Sequence, residues 1–120
     1  MSLASWQAGL VAAVDGLGLR VTDDPRAVNA PCVLVGVPAT VTLGANACTL
    51  EVEAPVYVVA PAPATGGNVA YLVANVVAVM RAVGGRTARA TDLSVSDGQA
   101  PLPCYQIDVT ATIPDERPMP

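Results

Sequence analysis

The chain has 120 residues and a formal net charge of −4, with 52% hydrophobic and only 13% charged residues. A single domain of this length can bury a core without disulfides. An acidic chain without a basic run is a poor candidate for binding the phosphates of nucleic acid. Because the charged share is about half the usual one, and the mean hydropathy is +0.50, the composition favours a subunit of an assembly over a solitary monomer.

Residue types that support catalysis or metal binding are scarce. The chain contains no His and no Lys, and Cys32, Cys48 and Cys104 are too widely spaced for a zinc site. Each cysteine lies in an apolar run, so we predict three buried thiols that pack as small hydrophobes. No nucleophile–base arrangement is recognisable in the sequence. We therefore predict a protein that is not an enzyme and has no cofactor and no metal.

The first predicted element is a helix over residues 2–17, followed by a loop over residues 20–31. Gly16 and Gly18 end the helix. In the loop, Asp23 and Asp24 precede a proline and lack the further oxygen ligands of a calcium loop, so we interpret them as a solvated turn. Five apolar residues share one face of the helix at helical spacing: Leu3, Trp6, Leu10, Val14 and Leu17.

Three apolar runs that follow are predicted strands. Residues 32–37 form a continuous run typical of a strand buried on both faces, with Gly36 marking a bulge or a close backbone approach. Residues 41–43 resume the apolar pattern. Residues 48–60 alternate, which predicts one buried and one wetter face, and Pro55 indicates an edge or a bulge. Glu51 and Glu53 lie on the wetter face roughly 7 Å apart, and with so few aromatic residues we interpret them as surface groups and not as a glycosidase pair.

Residues 68–83 form the helix around which the chain is organised, with Asn68 or Thr65 as its cap and Gly84 and Gly85 as its end. An apolar stripe is predicted at Val69, Leu72, Val73, Val76, Val77 and Met80. The opposite side is also uncharged, with Ala70, Tyr71, Ala74, Asn75 and Ala78. A helix apolar almost all round must be covered on both sides, so we predict that a second copy or another protein covers one of them. Tyr71, Ala74 and Ala78 are the candidate inter-subunit residues of that side.

A membrane span is not predicted, because prolines and glycines break the uncharged stretch before residue 68, and the helical remainder is shorter than the roughly 20 residues that a bilayer requires. The N-terminus lacks the features of a signal peptide. The chain is therefore expected to be cytoplasmic.

The last two elements are a predicted hairpin of residues 86–95 and 104–113. Arg81, Arg86 and Arg89 form the only local cluster of cations. They fit either a solvated sheet edge or a set of partners for acidic residues of a neighbouring subunit. The whole predicts one α+β domain over residues 1–113, with a mostly antiparallel sheet of four to five strands packed against two helices, and a short polar tail over residues 114–120.

The segment NAPCVLVGVP at residues 29–38, together with the order helix, strands, long helix and final hairpin, resembles the tail terminator proteins of long-tailed bacteriophages, especially those of actinobacterial hosts. The resemblance covers essentially the whole chain, in a family without a catalytic signature. It implies an α+β subunit of a hexameric ring, assembled in the host cytoplasm and located in the tail–neck region of the virion. Such a ring caps the tail tube, presents a surface to head-completion proteins and lets DNA pass through its hole.

On this resemblance, the seam between subunits is expected at Arg81, Arg86 and Arg89. The lumen or the tube-facing surface is expected at Asp23, Asp24, Glu51 and Glu53. The major tail tube protein, a head-completion protein and further copies of the chain are the expected partners, and DNA is not bound specifically. Three alternatives stay open: another neck component such as a tail-completion or head-closure protein, a small-molecule enzyme or sensor of α+β fold, and a bacterial structural subunit outside phages.

Overall fold

The computed structural model describes residues 3–44, 48–62, 66–94 and 101–114. Within these ranges the chain forms a six-stranded mixed sheet with two helices packed on one face, which confirms the predicted α+β class. The elements in chain order are α1 (Leu3–Asp15), β1 (Val21–Thr22), a 3-10 turn (Pro25–Ala27), β2 (Cys32–Val35), β3 (Thr40–Leu43), β4 (Thr49–Val59), α2 (Gly66–Val83), β5 (Ala88–Leu93) and β6 (Leu102–Pro114).

The sheet is organised around two long strands, β4 and β6, which pair antiparallel along the whole of β4. The strand order is β1-β2-β4-β6-β5, and β3 pairs with β4 beyond the end of β2. The hairpin of β5 and β6 is antiparallel, as predicted. Within the described residues, β1 and β2 are the one parallel pair. β1 lies in a segment predicted as loop, because its two residues are too few to show a strand pattern.

Alternation along β4 gives the sheet one buried and one exposed face, as predicted. Val52 and Val56 are buried, whereas Glu51 and Glu53 are exposed. Pro55 was predicted to mark an edge or a bulge. An edge is wrong, because β4 has partners on both sides, and the register with β6 runs through Pro55 without an extra residue. The Gly36 N–H donates to the Pro55 carbonyl at 2.8 Å. The N–H and C=O of a strand residue point to the same side. The position where Pro55 has no N–H therefore faces the gap between β2 and β3, and no strand hydrogen bond is lost there.

The main core lies between the helices and the inner face of the sheet. From α1 it receives Leu10 and Val14, with Trp6 partly buried against them. Leu17 was predicted on this face but is 42% exposed, because the helix ends at Asp15 and the following turn carries Leu17 away from the sheet. The sheet contributes Val33, Val35, Val56, Val58, Ile107 and Val109.

The bounds of α2 differ slightly from the prediction at its start and agree at its end. The helix begins at Gly66, so Asn68 lies in its first turn and is not the cap, while Thr65 lies outside the described residues. At the other end Gly84 adopts φ 76°, and the Gly85 N–H donates to the Met80 carbonyl at 2.9 Å. This is the Schellman arrangement, which needs a left-handed residue that glycine supplies without strain.

Gly36 and Gly9 offer a matched test of where the backbone is crowded. A Cβ at Gly36 would lie 2.8 Å from Pro55 Cγ and 2.9 Å from the Pro55 carbonyl oxygen, whereas a Cβ at Gly9 would meet nothing within 4 Å. We expect Gly36→Ala to lower the free energy of unfolding by about 1–3 kcal/mol, since a backbone oxygen cannot easily give way. Gly9→Ala, in the middle of α1, should raise it by about 0.5–1 kcal/mol. Urea unfolding at one protein concentration measures both, and equal stabilities would contradict the close approach.

Candidate functional site

The outward side of α2 is a continuous apolar surface. Val73 is 62% exposed and Val77 is 50% exposed. Ala70, Ala74 and Ala78 are also exposed, and the spacing of these five residues places them on one face of the helix. We call these five residues the α2 outer face. The predicted apolar character on both sides of the helix is therefore present.

The division between the two sides of α2 differs from the prediction. The buried residues are Leu72, Val79 and Val83, and Val73 and Val77 turn away from the sheet. The predicted stripe was wrong in including those two valines and in missing Val79. When a helix is apolar all round, its periodicity does not show which side faces the sheet.

The three candidate inter-subunit residues of α2 are not equivalent. Ala74 and Ala78 lie on the α2 outer face. Tyr71 packs against the core of its own chain, and burial raises the pKa of its phenol. Its predicted place opposite the buried stripe is therefore wrong. The side-chain amide of Asn75 donates to the Tyr71 carbonyl at 2.8 Å, which uses the polar end of Asn75 within the helix.

By length and composition, α2 is also long and apolar enough to cross a membrane, with a mean hydropathy of 1.4 over its 18 residues. One side of the helix is already used, since Leu72, Val79 and Val83 pack with sheet residues in the chain's own core. The α2 outer face is the side of the helix that a partner could still cover.

The three arginines of the predicted seam lie around the end of α2 and along β5. Arg81 is exposed in the last turn of α2, on the same side as the α2 outer face. Arg86 is exposed in the following loop, beside Asp108. Arg89 Nη2 lies 3.5 Å from the Asp108 carboxylate, and both side chains are largely exposed. Such a surface pair contributes little stability. Because its side chain is largely exposed, Arg89 is accessible at the sheet edge.

Glu51 and Glu53 lie on the sheet face opposite the helices, within two rows of polar residues. The strand register places Thr40, Glu53 and Thr110 in one row and Thr42, Glu51 and Thr112 in the next. The side chains around these carboxylates are threonines with valine and alanine, so no aromatic platform for a sugar lines this depression. The two glutamates form an acidic, solvated strip.

Asp23 and Asp24 lie on a different segment from the glutamates. Asp24 accepts a hydrogen bond from the Arg26 backbone N–H at 2.9 Å and pairs with the Arg26 guanidinium at 3.3 Å. The backbone hydrogen bond, followed by the side-chain one, lowers the pKa of Asp24. Asp24 therefore caps the 3-10 turn, and the adjacent Asp23 is exposed. Both fit the predicted turn.

The cysteines were predicted to be buried, and this is correct for two of them. Cys32 and Cys104 are fully buried together with Val59 in a second, smaller core. Cys48 is exposed, so its predicted burial is wrong: it precedes the first residue of β4 and takes no part in the strand's alternation. Among the described residues, no group of three or more potential metal-binding side chains comes together.

The thiols allow a direct test of this division. Burial raises the pKa of Cys32, and it raises that of Cys104 to about 11 from an ordinary value of 9.0. We expect a thiol reagent at pH 8 to modify Cys48 in the native protein and to reach the other two only after unfolding. The raised pKa of Cys104 means that the folded protein holds the thiol proton more tightly than the unfolded chain does. The contribution of this thiol to the free energy of unfolding is therefore complete below about pH 9 and is lost as the pH rises towards 11. Rapid labelling of all three cysteines at pH 8 would contradict the second core.

One part of the sheet is exposed at both of its edges. We use the name wing for β3 together with residues 49–54 of β4 and residues 109–114 of β6, which pair side by side. On its helix-side face Val41 is 47% exposed and Leu43 is 56% exposed. On the other face are the threonine and glutamate rows. The wing therefore has one apolar and one acidic face.

The candidate surfaces are thus the α2 outer face, the arginines near it and the wing. In comparisons with known proteins, no family model, no curated protein and no solved structure matches this chain.

Proposed function

We propose that this chain is a structural subunit that assembles with copies of itself into a ring, and that the ring terminates the tail tube of a long-tailed bacteriophage. The observation that supports self-assembly most directly is the α2 outer face. Two largely exposed valines and three alanines cover one side of an 18-residue helix that has a single charge, Arg81. A monomer would leave this surface in water.

Covering the α2 outer face with a partner would contribute a substantial free energy of association. Burying a fully exposed valine contributes about 1.5–3 kcal/mol, so covering Val73 and Val77 from their present exposure contributes roughly 2 kcal/mol. The alanines permit close approach of a partner backbone. In a closed ring the same gain recurs at every seam.

The assignment to a tail terminator rests on the resemblance of residues 29–38 and of the element order to that family. The acidic strip of Glu51 and Glu53 supports it, because a channel wall that repels phosphates lets DNA pass without holding it. In this proposal Arg81, Arg86 and Arg89 lie near the seam. The tail tube protein and a head-completion protein bind the two ends of the ring.

The test is the mass of the purified protein followed by binding to isolated phage parts. Light scattering across a wide concentration range should give a discrete oligomer, and electron microscopy should show rings. The protein should co-sediment with polymerised tail tubes and be seen at their ends. Binding to the portal side instead would favour a head-closure protein, flotation with liposomes would favour a membrane role for α2, and a monomer at every concentration would overturn the proposal.

A further inference from the structure

The four edges of the sheet differ in how they are protected against pairing with another strand. β1 has only two residues, and β5 carries Arg89 and Asp92, which hinder strand addition. The two edges of the wing, β3 and residues 109–114 of β6, have no charged residue and consist largely of Val, Thr, Leu and Ile. Uncharged, β-branched edges without a protecting device are expected to be paired in the working protein.

Neither wing edge has a partner within the described part of the chain. β3 pairs with β4 on one side only, and all four of its residues are exposed. β5 covers β6 only as far as Ile107, so residues 109–114 have β4 on one side and, among the described residues, no strand on the other. Arg86 and Thr87 line one depression together with Asp108 and Thr110 but do not pair with them. The described part of the chain therefore presents two unpaired edges on opposite sides of the same three strands.

The backbone directions at these edges follow from two hydrogen bonds. The Gly44 N–H donates to the Thr49 carbonyl at 2.8 Å, so alternation turns Thr42 towards β4 and turns the N–H and C=O of Val41 and Leu43 to the open edge. On β6, the Pro103 carbonyl accepts from the Ala60 N–H at 2.9 Å and faces β4. Alternation then turns the N–H and C=O of Thr110 and Thr112 to the open edge.

We propose that β3 of one copy pairs in parallel with residues 109–114 of a second copy, so that the wings join edge to edge. This inference rests on the proposed function, since it adds a second contact between neighbouring copies to that of the α2 outer face. In a parallel pair, a residue that points its N–H and C=O at the partner lies beside a partner residue that points its own away. Val41 would thus lie beside Ala111 of the next copy and bond to the flanking Thr110 and Thr112.

The side chains match on both faces in this arrangement. Val41 and Leu43 meet Ala111 and Ile113 on the apolar face, and the threonines of both strands meet on the acidic face. A shift by two residues preserves the match, whereas a shift by one, or an antiparallel pair, sets apolar against polar residues. Pro114, which has no N–H, ends the ladder.

The direction of the strands also agrees with a rotationally symmetric ring. β3 and β6 both run antiparallel to β4, so they are parallel to each other within one copy. In a ring of six copies, the rotation from one copy to the next is too small to reverse a strand, so the pairing of β3 with the next β6 is parallel as the side chains require. Glu51 and Glu53 of every copy then lie on one continuous face.

Disulfide crosslinking tests the pairing, in a Cys48→Ser background. In the chain with Val41→Cys and Ala111→Cys the two thiols are separated by β4, about 9–10 Å apart, too far for a bond within one copy. Across the proposed contact they lie about 5 Å apart. Oxidation should therefore give a ladder of covalent oligomers. Val41→Cys with Val109→Cys reports the register shifted by two residues, and crosslinking of that pair also supports the proposal.

Two controls separate this inference from the proposed function. Val41→Cys with Thr112→Cys places the thiols on opposite faces and should not crosslink, and crosslinking of this pair alone would overturn the parallel arrangement. Val41→Pro removes an N–H that faces the open edge and should at least halve the assembled fraction, whereas Ala90→Pro at the charged β5 edge should leave it unchanged. If the wild-type protein forms rings but no wing pair crosslinks, the inference fails and the ring stands. If the wild-type protein is a monomer, the proposed function fails.

Discussion

Replacing Val73 by glutamate is expected to dissociate the assembly while leaving the subunit folded. Val73 is the more exposed of the two valines of the α2 outer face, at 62%, so a glutamate there is solvated in the free chain and should change the free energy of unfolding by no more than about 0.5 kcal/mol. In a subunit contact the same carboxylate loses its water without gaining a partner. That loss costs about 3 kcal/mol or more, which corresponds to at least about a hundredfold weaker association.

Light scattering gives the mass, and circular dichroism with urea unfolding gives the state of the subunit. Val73→Thr is the matched control, because it keeps the branched shape without the charge and should stay assembled. If Val73→Glu has the mass of the wild-type oligomer, the α2 outer face is not a subunit contact.

Truncating Ile107 to alanine is expected to have the largest effect on folding. Ile107 is fully buried in the middle of β6, opposite Val56 on one side and Ala88 on the other. It belongs to the core that both helices cover. Its Cγ2 methyl group packs against Gly85, where a Cβ would collide with it. Removing its outer carbons leaves a cavity that the two strands and the helices cannot close, which should cost about 2–5 kcal/mol. Domains are stable by about 5–15 kcal/mol in total, so much of the stability is lost.

Ile107→Val is the graded control and should cost about 0.5–1.5 kcal/mol. Unfolding is best measured in the dissociated Val73→Glu background, so that stability does not depend on subunit concentration. A loss below about 1 kcal/mol for the alanine variant would contradict the position of Ile107 at the centre of the core.

The sequence predicted the elements of this fold well where one period dominated. Alternation along β4 predicted its buried face correctly, and Gly84 marked the end of α2. These features are local: a strand with one wet face must alternate, and a helix end needs a residue that tolerates positive φ. The apolar run predicted as a strand buried on both sides over residues 32–37 was correct for residues 32–35 and wrong for Val37, which follows the strand and is 69% exposed.

Other features depended on partners that are distant in sequence. The place of Pro55 inside the sheet follows from the break between β2 and β3, and the exposure of Cys48 follows from where β4 starts to pair. Neither is visible in the residues around those positions, because strand partners are set by the register of whole strands.

The sequence by itself determined that this chain is rich in apolar residues and poor in charged ones. Only the tertiary structure decided where the apolar surface lies: Val79 inside and Val73 outside on a helix whose residues are apolar all round, and two bare strand edges on the wing. The physical reason is that composition fixes how much surface must be covered, whereas the packing of α2 on the sheet and the different lengths of the strands fix which parts stay open.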